Sequence, residues 1–173
     1  MCLSNQEDKD SIEYYQETWT QLAKDPNSWL RKAEALKYAA DAVRGSVADL
    51  FRGPVYMLLA GLAVETLIKG IIVAKNPKFV EVEKEQLSSG LTTHNLQKLY
   101  RTAGLRENNS LNDLLLRLQS YVENFGRYPV TKSRQDMKKM IQTRIAGQTD
   151  PDRVDRLWSF LVDRIQPYIE TDE

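Results

Sequence analysis

The sequence predicts an all-α fold: an antiparallel bundle of about six helices with no sheet. Three observations carry this. Apolar residues recur at spacings of three and four through most of the 173-residue chain, which is the period of a helix face. No stretch alternates convincingly with period two, as a half-buried strand would. Helix-breaking signals divide the periodic segments at Asp25-Pro26-Asn27-Ser28, Arg52-Gly53-Pro54, Asn76-Pro77, Gly104, Gly126-Arg127-Tyr128-Pro129 and Asp150-Pro151.

Taken in order, the first helix is expected over Glu7 to Ala23, with Ile12, Tyr15, Trp19 and Leu22 on its face. The second is expected from Trp29 to Leu50, along a seam of Ala33, Leu36, Ala40, Val43, Val47 and Leu50. Gly53-Pro54 reads as a tight joint, since proline is tolerated at a first helical position. The third helix follows to Lys75. It is apolar nearly all round from Leu58 to Val73, so it is expected to be the most buried element and to pair with the second as a hairpin. Lys78 to Thr92 reads as a loop with a helical turn. Thr93 caps a short helix closed by Gly104, and Ser110 caps the next, which carries Leu111, Leu114, Leu115, Leu118, Val122 and Phe125. The last helix opens at Asp150-Pro151 and presents Val154, Leu157, Trp158, Leu161, Ile165, Tyr168 and Ile169.

Composition narrows the function classes. Lysine plus arginine equals aspartate plus glutamate at 24 each, so the basic excess of a dedicated nucleic-acid binder is absent overall. A single cysteine, Cys2, gives no intramolecular disulfide. The stretch Leu58 to Val73 is shorter than a membrane span and has Glu65 and Lys69 at its middle, where lipid disfavours charge. The polar N-terminus lacks a signal-peptide apolar run, and a cytoplasmic protein without membrane contact is expected. Phosphate loops, dinucleotide fingerprints and nucleophile elbows are absent. One histidine and one cysteine make a structural zinc site implausible, and no metal or cofactor is expected.

Three short segments stand out. Ala63-Val64-Glu65-Thr66-Leu67-Ile68-Lys69-Gly70 places an acid four residues before a base on the central helix, the favourable orientation for an ion pair. Such a pair is either a buried tie or part of a site. Thr92-Thr93-His94-Asn95-Leu96 puts the only histidine at a helix start, where capping or packing is the plainer role. Gly126-Arg127-Tyr128-Pro129-Val130 is a helix stop with an arginine near the negative end of the dipole.

Together and in this order the three segments resemble the HEPN family of helical domains. The family shows an A-x-E-x-x-x-K-like apolar helix, a T-H-x-L helix start and an R-Y-P stop. Here these read Ala63 to Lys69, Thr93 to Leu96 and Arg127 to Pro129. The resemblance covers about 30–130, and more loosely a C-terminal helix at about 151–170, within one domain. It implies an antiparallel bundle that commonly forms homodimers. Many members are ribonucleases of toxin or defence type, with a histidine four to six residues after an arginine. Others are non-catalytic, tied to nucleotide binding or to a nucleotidyltransferase or antitoxin-like partner. No histidine follows Arg127 or any other arginine at that spacing.

The leading expectation is therefore a non-catalytic binding or interaction module. Its polar site would comprise Glu65, Lys69, His94, Asn95, Arg127 and Tyr128 and take a nucleotide, RNA or a protein partner. The alternative is a ribonuclease with a degenerate site, using His94 as general base and Arg127 to stabilise phosphorane charge. A third reading is a structural bundle whose charges are internal ties. The basic stretch Lys132, Arg134, Lys138, Lys139 and Arg144 is the one feature that favours nucleic acid, and its plainer reading is a solvated face.

Overall fold

A computed structural model describes residues 4–46, 49–106, 108–125, 135 and 150–169. Among these, six α-helices make an all-α bundle: α1 (Ser4–Lys24), α2 (Pro26–Ser46), α3 (Asp49–Lys75), α4 (Leu96–Thr102), α5 (Asn109–Ser120) and α6 (Asp150–Ile165). The last turn of α5 widens into a π-helical turn at Tyr121–Phe125.

The apolar composition of α3 dictates its place. Met57, Ala60, Ala63, Val64, Leu67, Ile68, Ile71, Ile72 and Val73 are all buried, and the helix packs against α2, α4, α5 and α6 at once. By length and composition Gly53–Lys75 could cross a membrane, yet 67% of its most apolar window is buried within the bundle. Two glycines let its neighbours come close. A Cβ at Gly61 would lie 2.7 Å from Val122 Cγ2 and 3.1 Å from the Leu118 carbonyl oxygen; one at Gly70 would lie 2.7 Å from Trp29 Cβ and 3.0 Å from Ile165 Cδ1. The start of α2 thus meets the end of α3, so the two run antiparallel.

The structure corrects several boundaries. The α2–α3 joint falls before Asp49, not at Gly53-Pro54, and Pro54 sits in the sixth position of α3, where its nitrogen cannot donate to the Leu50 carbonyl. Leu50 accordingly belongs to α3. The cap of α4 is Asn95, whose side chain accepts from the Lys98 amide at 2.8 Å, while Thr93 Oγ1 accepts from the Asn95 amide at 3.1 Å. The cap of α5 is Asn108, accepting from the Leu111 amide at 2.9 Å. In each case the asparagine lies where its amide oxygen reaches the N3 amide, and the Thr or Ser does not.

Gly104 does close α4. With φ +71 it lets Leu105 N–H reach the Tyr100 carbonyl and Gly104 N–H reach that of Arg101, a Schellman ending. Where no sheet was expected, Lys78 to Thr92 holds a two-residue antiparallel ladder, Val80 opposite Leu87 and Glu81 opposite Gln86, flanked by 3-10 turns. Glu85 at φ 50 turns the chain back, and the ladder buries Val80.

On α1, Trp19 and Ala23 form the packed stripe, whereas Tyr15 and Leu22 are exposed at 70% and 56%. They sit just round the helix from that stripe. Among the described residues α1 meets mainly α2 and the Val80 strand, which leaves these two side chains largely uncovered. Tyr168 is likewise 41% exposed, beyond the end of α6. The expected helix stop at 126–129 and the basic stretch 131–147 lie outside the described residues, Gln135 excepted.

Candidate functional site

The site is built around Glu65, two turns into the buried middle of α3. A carboxylate there must find donors, because desolvation without partners is costly. Lys69, one turn on, supplies the first: Nζ lies 2.7 Å from Glu65 Oε1. The second comes from 29 residues away. His94 Nδ1 lies 3.0 Å from both Oε1 and Oε2 of Glu65. The side chains of Glu65 and Lys69 are 7% and 11% exposed, that of His94 41%. A buried charge pair therefore carries an imidazole at the surface.

Local structure holds His94 in place. Asn95 caps α4, so the residue before it is fixed at the helix mouth. Gln119 near the end of α5 accepts from the Leu96 amide at 3.2 Å, and its own amide donates to Glu123 at 3.1 Å. The close approach that Gly61 allows brings this end of α5 against α3, one turn from Glu65.

The carboxylate sets which ring nitrogen faces it. An ionised Glu65 can only accept, so Nδ1 carries a hydrogen and donates to it. Nε2, the other ring nitrogen, has no hydrogen-bond partner among the described residues. In the neutral ring it offers a lone pair to an incoming donor. Asn95, beside His94, uses its side-chain oxygen to cap α4. Arg127, Tyr128, Lys132, Arg134, Lys138, Lys139 and Arg144 lie outside the described residues.

Two further ion networks escaped sequence reasoning. On the α2–α6 face, Lys37 is buried with its Nζ 2.7 Å from Asp41 and 2.9 Å from Asp155, and Arg44 reaches Asp155 and Asp152. The signal was present, because Lys37 falls on the Leu30–Ala33–Ala40 stripe, a charge at a core position. Nearby, the Tyr56 hydroxyl is buried without a partner among the described residues, and burial, with Asp155 adding, pushes its pKa well up. The second network joins α5 to α6: Asp150, fully buried, accepts from Arg117 at 2.5 Å and from Arg153 at 3.2 Å.

The α2–α6 network has a pH signature. Burial pushes the Asp155 carboxyl up, but hydrogen bonds and charge from Lys37 and Arg44 outweigh it and hold the pKa below 3.8. A depressed folded value stabilises the fold above the unfolded one and is lost as pH falls through the folded one. Asp155→Asn is expected to unfold more easily than wild type at neutral pH. That gap should persist in mild acid and close only below 3.8, as followed by urea titrations at stepped pH. A gap that closes well above that pH would contradict the assignment.

No known protein family, curated protein or solved structure matches the chain. Among the described residues no group of three or more metal-ligating side chains gathers.

Proposed function

We propose that this chain is a non-catalytic binding module of HEPN-like type whose ligand docks on His94. One observation carries the reading: Glu65 orients the imidazole through Nδ1 and leaves Nε2 at the surface with no partner among the described residues. A lone pair so presented selects a donor, and a ribose hydroxyl or a base N–H of a ribonucleotide or short single-stranded RNA supplies one. Net charge of zero fits recognition by few phosphate contacts, with shallow salt dependence. A homodimer, and a cytoplasmic setting, go with the family resemblance rather than with this geometry.

The test compares wild type with His94→Ala in titrations against short ribo- and deoxyribo-oligonucleotides. The expected result is a ribose preference and a loss of at least about tenfold in affinity in the variant, roughly one good hydrogen bond. Its melting temperature should be nearly unchanged, because Lys69 still pairs with Glu65. Equal binding by the two proteins, or no binding of either oligonucleotide, would remove the reading.

The same geometry favours a second reading. A carboxylate-backed imidazole facing a 2′-hydroxyl is the arrangement of a general base, so slow RNA cleavage lost in His94→Ala would make the chain a ribonuclease.

A further inference from the structure

At the opposite end of α5 from His94, a cleft of about 340 Å³ opens between the α4–α5 connection and α6. Its size is at the low end for small-molecule sites. Three arginines line it, Arg106, Arg153 and Arg156, and among the described residues no carboxylate does. The larger cleft beside the two-stranded ladder, about 430 Å³, instead mixes Glu81 and Glu83 with Lys24, Lys78 and Lys84, so its charges answer one another.

The three arginines are not equivalent. Arg153 is committed: it reaches Asp113 at 3.3 Å, Asp150 at 3.2 Å, and the carbonyl and hydroxyl oxygens of Ser110. Fixed in this way, it forms part of the wall. Arg106 and Arg156 are exposed and have no ion-pair or hydrogen-bond partner among the described residues. They stand on different segments, Arg106 just after α4 and Arg156 on α6. Two guanidiniums that line one cleft and have no partner among the described residues are a suitable donor set for an oxyanion with several acceptor oxygens. The remaining wall includes Asn108 and Ser110 as polar groups and Phe160 as an apolar side, leaving room for a small organic body beside the anion.

We propose that this cleft binds the phosphate groups of a small phosphate-bearing molecule, with Arg106 and Arg156 as the recognising cations. The site is separate from His94 and does not depend on the reading of that residue.

The experiment is calorimetric titration of the full chain with pyrophosphate, ADP and adenosine, alongside a short RNA. Pyrophosphate and ADP are expected to bind and adenosine is not. Arg106→Glu and Arg156→Glu, both at exposed positions, should each lower affinity about tenfold or more with unchanged melting temperature. His94→Ala should bind pyrophosphate as wild type does, which separates this site from the RNA-directed one. Failure of pyrophosphate and ADP to bind at millimolar concentration would overturn the proposal. So would equal affinity in the arginine variants, or arginine-dependent binding of RNA without binding of the small phosphates.

Discussion

Asp150→Ala is expected to lower unfolding free energy by about 3–5 kcal/mol, the usual consequence of leaving buried charge without its partner. Asp150 is completely buried, and the two guanidiniums it receives are themselves mostly covered, with side chains 12% and 17% exposed for Arg117 and Arg153. Among the described residues Arg153 would keep Asp113 and Ser110, whereas Arg117 would keep the half-exposed Asp113 alone. Asp150→Asn retains an oxygen acceptor and should fall between the two. Urea unfolding measures the difference, and a value within about 1 kcal/mol of wild type, the range of a surface substitution, would show that the α5–α6 tie is not needed.

Glu65→Ala is the second large effect, again about 3 kcal/mol or more, because it strands the Lys69 ammonium inside the bundle. The double variant Glu65→Met with Lys69→Met should recover most of that loss, since it removes the charge left behind. This cycle separates the two roles of the cluster. Stability follows the Glu65–Lys69 pair, and ligand binding follows His94. If the double variant were as unstable as Glu65→Ala, the loss would come from packing and not from charge.

Much of the bundle was legible because helix periodicity reports on buried faces. The stripe Val154, Leu157, Leu161 and Ile165 on α6 and the stripe Leu114, Leu115, Leu118 and Val122 on α5 are buried as their spacing predicts. The same rule misled on α1. Periodicity identifies which residues could pack, but not whether a neighbour is present to receive them, and among the described residues none buries Tyr15 or Leu22. The α2–α3 joint was misread for a different reason. Gly53-Pro54 disfavours helix locally, yet packing of the apolar segment behind it outweighs the lost backbone bond.

In the candidate site, the Glu65–Lys69 pair followed from its spacing, and His94 of the expected polar group meets the same carboxylate, whereas Arg127 and Tyr128 of that group lie outside the described residues. Lys37 and Asp150 each have one partner within a turn, Asp41 and Arg153, but were missed because the partners that tie them across the bundle lie far off in sequence. Lys37 finds Asp155 on α6, and Asp150 finds Arg117 on α5. Only the tertiary fold gives those partners, although a lysine on an apolar stripe signals that one must exist.

The position of α3 bears on how the chain is made. Synthesis proceeds from the N-terminus, so α3 is complete while α4, α5 and α6 have yet to emerge. At that stage α2 covers one side of it. The face that Leu114, Leu118, Leu157 and Leu161 will later cover is open to water and to other nascent chains. A hydrophobic surface of this kind attracts chaperones and promotes aggregation. Of the described helices α6 emerges after α4 and α5, and a chain stopped before Asp150 would leave α3 without the cover that Leu157 and Leu161 give it.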